Sequence, residues 1–466
     1  MNQELVRQRL YEKYIEPTKK ERKKFIGIEI EMPILNLDKE AVNFSVIHEI
    51  TAKFMKHFQF EAEGIDDEGN VYSIKNNLHG DILSYDCSYN NLELSLGREK
   101  ELFTILERFR SYYEYLQNQF HQYHYTLTGM GVNPYRIYNH NVPIPNGRYR
   151  MLFHHLNSYK KYHLPMYFHQ YPEYGTFSSA SQVQLDVDYE DLVKTIRVFS
   201  LVEPVKALLF SNSILLGENE DLLCCRDMFW ENSTHGINPH NVGMFDCRLE
   251  SEEDLLSYIE STSIYCVERG EKYINFSPVN IMEYFTKPFI IGEYYKNGAY
   301  QNIKFEPEIE DLQYLRTFKF EDLTFRGTVE FRSVCCQPIK DCMTVAAFHL
   351  GLKNQIDPLE NLLKNDHVIY HHGYTAGELR KMFNQKELPS FVDEDQLYGL
   401  AKNVLDLAKE GLRMRGYGEE VLLEPLYERV KNRTNPAKTI LHMRDRGVAL
   451  EDIILEYGKM NEKISD

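Results

Sequence analysis

The chain is short of positive charge, with 53 lysines and arginines against 70 aspartates and glutamates and a net charge of −17. That balance disfavours a nucleic-acid surface, because phosphate backbones are bound by clustered cations. Lysine and arginine are instead expected to concentrate where acidic ligands sit. The eight cysteines, at 87, 224, 225, 247, 266, 335, 336 and 342, contain no C-x-x-C and no paired spacing of the zinc-ribbon kind. They read as reduced thiols of a cytoplasmic protein, packed as small apolar side chains. Cys335 and Cys336 are the pair placed closest to a candidate site strand. No stretch approaches the ~20 apolar residues of a membrane span. The opening MNQELVRQRLYEKYIEPTKKERKK is charged and lacks an apolar core, so no secretory leader is expected. Internal repeats, low-complexity tracts and obvious linkers are also missing. With 43% apolar and 13% aromatic residues, the chain buries one large core or two smaller ones.

What is present is acid on alternating strands. The run Phe25-Ile-Gly-Ile-Glu-Ile-Glu-Met32 has period two, so Ile26, Ile28, Ile30 and Met32 face a core while Gly27, Glu29 and Glu31 share the other face. Residues two apart on a strand stand about 6.6 Å apart, and carboxylates at that spacing repel unless a cation lies beside them. Hard divalent ions are the candidates. Glu-x-Glu on the wet face of an edge strand is also ordinary solvated surface, so its meaning depends on its company.

Three further runs supply that company. In Asn90-Asn-Leu-Glu-Leu-Ser-Leu96, Leu92, Leu94 and Leu96 alternate with Asn91, Glu93 and Ser95, and Asp86 lies in the loop feeding the strand. In Arg326-Gly-Thr-Val-Glu-Phe-Arg-Ser333, Arg326, Thr328, Glu330 and Arg332 share one side; a guanidinium two residues from a carboxylate suits a site holding both metal and phosphate. In Ser181-Gln-Val-Gln-Leu-Asp-Val187, Gln182, Gln184 and Asp186 alternate with Val183, Leu185 and Val187, and amides on such a face bind polar substrate or metal-bound water. His154, His155, His163 and His169 show no clean ligand spacing on a convincing helix and read as packing or surface residues.

In this order the runs resemble glutamate-cysteine ligases of the carboxylate-amine ligase group, whose catalytic domain is related to glutamine synthetase. The resemblance is carried by GIEIE, Asp86 with Glu93, TFSSASQVQLDV and RGTVEFRS. Two softer segments lie between: PIPNGRYRMLFHH, with Arg148, Tyr149 and Met151, and FSNSILLGENEDLLCCRDMFW, with Asn212, Ser213 and Arg226. It implies an α+β fold with a curved, mainly antiparallel sheet forming a half-barrel funnel flanked by helices. It also implies ATP as co-substrate and two or three Mg2+ ions, with Mn2+ an alternative, held by Glu29, Glu31, Asp86, Glu93 and Glu330. Arg332 and Glu330 would be catalytic, and Gln182, Gln184, Arg148, Arg226 and Arg326 would bind substrate or nucleotide. The sequence departs from the family where Gln184 replaces a histidine of some relatives and His235 replaces an arginine.

The implied reaction joins glutamate to cysteine through a γ-glutamyl phosphate. The same chemistry on another acid and amine, and a non-catalytic nucleotide-binding or interaction protein, remain as alternatives. The expected partners are these small molecules, with no nucleic acid and no membrane, in a monomer or homodimer. Helices are expected over the first 20 or so residues and over 44–59, 99–120 and 188–211, the last capped by Asp188 and bent at Pro204, with site-covering loops over 124–180. Residues 1–340 form the expected catalytic region. Residues 341–466 are expected to add helices over 341–363, 375–384, 393–411, 419–432 and 450–461, packed on the same unit.

Overall fold

The computed structural model describes residues 3–245 and 248–460, so Cys247 and Asn461 lie outside the described residues. In chain order the strands begin with β1 (Ile26–Asn36), β2 (Glu61–Ile65), β3 (Val71–Lys75), β4 (Ile82–Tyr85), β5 (Asn91–Glu99), β6 (Tyr125–Leu127) and β7 (Ser181–Asp186). They continue with β8 (Val242–Gly243), β9 (Ser263–Arg269), β10 (Lys272–Asn280), β11 (Ile290–Lys296), β12 (Ala299–Phe305), β13 (Phe318–Lys319), β14 (Glu321–Leu323) and β15 (Thr328–Phe331).

The large sheet runs β14-β15-β7-β1-β5-β4-β3-β2, with β6 continuing the pairing at the end of β1. Every pairing in it is antiparallel and the sheet stays open. Its centre is the alternating run: Ile26, Ile28, Ile30 and Met32 are buried, and β1 takes β5 on one side and β7 on the other. A second antiparallel sheet, β12-β11-β10-β9, and a short parallel pair, β8 with β13, complete the strands.

The first helices are α1 (Gln3–Tyr14), α2 (Phe44–Phe58), α3 (Leu102–His121), α4 (Gly147–Asn157), α5 (Leu192–Phe210), α6 (Cys225–Glu231), α7 (Glu252–Glu260) and α8 (Ile281–Tyr284). Beyond the last strand come α9 (Thr344–Lys353), α10 (Ile356–Lys364), α11 (Ala376–Phe383), α12 (Glu394–Arg413), α13 (Glu424–Lys431), α14 (Pro436–Asp445) and α15 (Leu450–Tyr457). Ile47, Ile50 and Phe54 of α2, Ile105 and Phe109 of α3, Phe199 of α5 and Phe348 of α9 join the apolar residues of β1, β5 and β7 in one core. The polar face of the sheet is left to build the site.

Several expected elements differ, each for a local reason. Residues 124–180 contain a helix as well as loops: Asn146 accepts from the Tyr149 N–H and starts α4, which packs His154 on Tyr300 and His155 on Tyr265 with ring centroids 3.5 Å and 4.1 Å apart. Asp188 is no cap; α5 begins at Leu192 after a short 3-10 turn and runs through Pro204 unbroken, since most of its length is buried and packing outweighs the lost N–H. The helix expected over 341–363 divides into α9 and α10, because Pro358 is tolerated only in a first turn. Pro425 has the same effect at α13, and Asn435 with Pro436 starts α14, an element not expected at all.

Candidate active site

The register of the central strands sets the site. Glu31 on β1 lies opposite Glu93 on β5, Glu29 opposite Gln182 on β7, and Gln184 opposite Glu330 on β15. The period-two pattern places these side chains on the face turned away from the core. Asp86 arrives from the turn between β4 and β5, beside Cys87, which holds a left-handed φ of 59°.

Glu29, Glu31, Asp86, Glu93, Glu330, Gln182, Arg148, Arg226 and Arg332 line one cavity of about 490 Å3. Gln184 and Arg326 lie beside its wall rather than on it: Arg326 donates to Gln184 Oε1 at 2.7 Å, and Gln184 Nε2 bridges Glu29 and Glu330 at 2.9 and 3.0 Å. Arg332 donates to Glu330 at 2.9 Å and stands 3.9 Å from Asp322, a buried acid the sequence pattern did not single out. Arg226 reaches the cavity while donating to the Val334 carbonyl at 3.1 Å, so it also braces the chain leaving β15.

Glu31, Asp86 and Glu93 each offer an oxygen within 4.8 Å of the other two. Glu31 accepts from the Ala180 N–H at 2.7 Å and from Gln182 Nε2 at 2.9 Å, and Ser95 donates to Glu93 at 2.7 Å. These donors satisfy part of the cluster only. Burial first, then Glu330, pushes the Glu29 carboxyl up to about 8; burial and then Asp86 push Glu31 up to about 7. Burial followed by the charge of Glu29 holds Glu93 well above the usual carboxylate range, and Asp86 is raised by burial. The buried Gln182 Oε1 has no hydrogen-bond partner among the described residues. Hard oxygens gathered this closely, too crowded to ionise together and with an amide oxygen to spare, fit a divalent cation of the magnesium kind.

Aromatic side chains form the rest of the wall. Trp230, Tyr265, Phe318, Tyr149 and Tyr273 line it together with His235. Burial, then the neighbouring Arg332, draws His235 down to about 3, leaving a neutral ring. Arg316 and Glu268 also line the cavity. Glu268 lies on β9 and Arg316 just ahead of β13, and no periodic pattern marks either one in the sequence.

The seven described cysteines are buried and free. Cys335 lies with its Sγ 3.6 Å from that of Cys224, one turn of chain beyond the site strand. Among the described residues no helix is long and apolar enough to cross a membrane.

Residues 26–459 match the model of glutamate-cysteine ligase family 2. A chloroplastic glutamate–cysteine ligase of Solanum lycopersicum is 25% identical over 313 residues, 65% of this chain and 54% of that protein. Its counterpart in Arabidopsis thaliana is 24% identical over 331 residues, 68% of this chain and 57% of that one. The matches thus span little more than half the length of these plant relatives. A crystal structure of a glutamate–cysteine ligase from Francisella tularensis, in complex with AMP, shares the fold with a TM-score of 0.51 at 12% identity, covering 94% of this chain and 88% of that one.

Proposed function

The chain belongs to glutamate-cysteine ligase family 2, and we propose that it joins the side-chain carboxylate of glutamate to the amine of cysteine, consuming ATP. The observation that carries this reading is the convergence of Glu31, Asp86 and Glu93 with the Arg332–Glu330 pair in one cavity.

A carboxylate does not react with an amine at neutral pH, since its carbon is a poor electrophile and oxide is its leaving group. In the proposed reaction a γ-carboxylate oxygen attacks the terminal phosphorus of ATP and the bond to the bridging oxygen breaks, giving ADP and an acyl phosphate. The amine nitrogen then attacks the acyl carbon, phosphate departs with the C–O bond, and the nitrogen loses a proton. No protein nucleophile is required. The protein's work is to neutralise the charge on the migrating phosphoryl and to align the reactants.

Glu29, Glu31, Asp86, Glu93 and Glu330 would hold magnesium, which when bound neutralises phosphate charge. Arg332, fixed by Glu330 and near Asp322, presents a guanidinium whose position is set before any ligand arrives. Gln184 couples Glu29 to Glu330, and Arg326 orients that amide. Arg226 holds the backbone after β15, so the strand bearing Arg332 keeps its place. Arg148 meets the acidic substrate.

The test is release of ADP and phosphate by purified protein with magnesium, ATP, glutamate and each of a panel of amines. Release that needs both glutamate and cysteine is expected. If that pair is silent while another acid and amine react, the chemistry stands and the substrates change. If ATP is never consumed, the ligase reading falls.

A further inference from the structure

Arg332 lines the cavity, whereas the next residue, Ser333, is buried against groups on the far side of the strand. The Ser333 hydroxyl donates to Glu203 of α5 at 2.9 Å, and its carbonyl accepts from Arg380 of α11 at 3.3 Å and from Arg226 of α6 at 3.4 Å. Glu203 is fully buried and also accepts from Arg380 at 2.6 Å and from Lys206. The Lys206 ammonium is itself buried, 5.8 Å from the centre of the Phe331 ring. Burial opposes charge on Glu203, but Lys206 and then Arg380 outweigh it and hold the carboxyl below the usual carboxylate range. Arg380 completes the circuit by pairing with Asp227, the residue after Arg226, at 2.8 and 2.9 Å. Arg332 therefore sits between two sets of holds. Glu330 fixes its guanidinium at the cavity, and Glu203, Arg380 and Arg226 fix the backbone just beyond it.

We propose that Glu203 and Arg380 are positioning residues that, through Ser333, aim the Arg332 guanidinium at the migrating phosphoryl. This rests on the ligase reading and deepens it with residues that touch no substrate. Stability alone does not call for such a device, because apolar side chains of the same volume would serve a core as well as buried ions do. What the ions add is direction. A carboxylate and a forked guanidinium accept one placement of the Ser333 hydroxyl and carbonyl, where apolar contact tolerates sliding. Phosphoryl transfer depends on such placement, since a shift of about 1 Å in a charge-stabilising group costs about 100-fold in rate. Glu330 cannot supply it alone, because it rides on the same stretch of chain as Arg332 and moves with it. Glu203 and Arg380 belong to α5 and α11, so they tie the end of β15 to a separate frame.

The experiment uses the full chain with magnesium, ATP, glutamate and cysteine. It reads the single-turnover rate of ATP cleavage, the KM values for ATP and glutamate, and the melting temperature. Ser333→Ala removes only the hydroxyl that Glu203 holds and leaves the ion pairs in place. It should slow cleavage about 10- to 100-fold in a folded protein, with both KM values unchanged. The same change made on Arg332→Lys, whose flexible stem carries no fork to aim, should slow cleavage by less than about 3-fold further, because the two residues act as one unit. Ser333→Cys keeps the bulk and a weak donor and should fall between Ser333→Ala and wild type; if Ser333→Ala does not fold, it carries the comparison instead. Ser200→Ala, which removes a hydroxyl 3.0 Å from Glu321, a buried acid beside Glu203, should leave the rate unchanged. A Ser333→Ala or Ser333→Cys enzyme that cleaves ATP at the wild-type rate, or that loses the same factor on both backgrounds, overturns the positioning role while leaving the ligase reading intact. Wild-type protein that consumes no ATP with any amino-acid pair overturns the ligase reading and the positioning role with it.

Discussion

The five carboxylates Glu29, Glu31, Asp86, Glu93 and Glu330 line one cavity, and that they cannot all carry charge unaided governs behaviour at the residue scale. Glu29→Gln keeps an acceptor oxygen for the Gln184 amide and removes one charge; Glu330→Gln does the same on β15, across β7 from it. Glu29→Gln is expected to lower magnesium-dependent ATP turnover by at least about 100-fold with no loss of melting temperature in metal-free buffer, because it relieves repulsion. Glu330→Gln is expected to lower turnover likewise but to lower the melting temperature too, since it takes from Arg332 its partner at 2.9 Å. Normal turnover in both variants would remove these residues from the metal site. The raised carboxyls also set a pH dependence. An acid whose folded value lies above its unfolded value of about 4.3 contributes stability that is fully present below the unfolded value and lost as pH rises through the folded one. For Glu31 and Glu29 that loss runs up to about 7 and about 8. Magnesium competes with those protons, so the melting-temperature gain it gives should be larger at pH 8.5 than at pH 6. Equal gains at the two pH values would show that the ion binds elsewhere.

At the scale of elements, what was legible in the sequence was whatever repeats with period two. Glu29 with Glu31, Glu93, Gln182 with Gln184, and Glu330 announce their strands because each polar residue is flanked by buried Ile, Leu, Val or Phe, and the sheet then sets them in register. What stayed hidden has a common cause. The β9–β12 sheet interrupts alternation, as β12 does with Gln301 and Asn302 exposed side by side, and α4 is so rich in Tyr, His and Arg that its helical stripe reads as loop. Arg316 and Glu268 reach the cavity from a stretch of chain distant from β1, β5 and β15, a non-local event that leaves no trace in local pattern. The helices after β15 were visible as helices, but their proline restarts and their close crossings were not. One such crossing makes a sharp prediction. A Cβ on Gly411 of α12 would lie 1.9 Å from the Gly351 carbonyl oxygen of α9, and one on Gly351 would lie 2.2 Å from that of Ala408. Gly411→Ala should therefore destabilise by about 3 kcal/mol as backbones are forced apart. Gly399, in the same helix, has nothing within 4 Å of such a Cβ, and Gly399→Ala should stabilise by about 1 kcal/mol through helix propensity. Thermal or urea unfolding of the two variants checks both signs; a Gly411→Ala protein as stable as wild type would mean the helices are not in this contact.

At the scale of the whole molecule the question is whether residues 341–466 are an appended part or half of one folding unit. Phe331 of the site strand has its ring 4.4 Å from Phe199 and 4.7 Å from His349 of α9, centroid to centroid, so the back of the active strand is covered by the later helices. Arg380 of α11 is buried between Glu203 of α5, at 2.6 Å, and Asp227 of α6, at 2.8 Å, and Asp227 lies one residue from Arg226 on the cavity wall. Arg429 of α13 pairs with Asp341, and the Thr128 hydroxyl donates to the Ile454 carbonyl of α15. Cutting the chain after residue 340 would expose Phe331 and strip the buried Asp227 of its cation, and an orphaned buried charge alone costs about 3–5 kcal/mol. Of the order of 5–15 kcal/mol is all that holds a domain together. The fragment 1–340 is therefore expected not to fold, Arg380→Ala to lower the melting temperature and with it the activity at elevated temperature, and the intact chain to unfold in one calorimetric transition. Two separable transitions, or a soluble 1–340 fragment that binds magnesium with unchanged affinity, would show instead that the sheet and its acidic floor stand without the helices behind them.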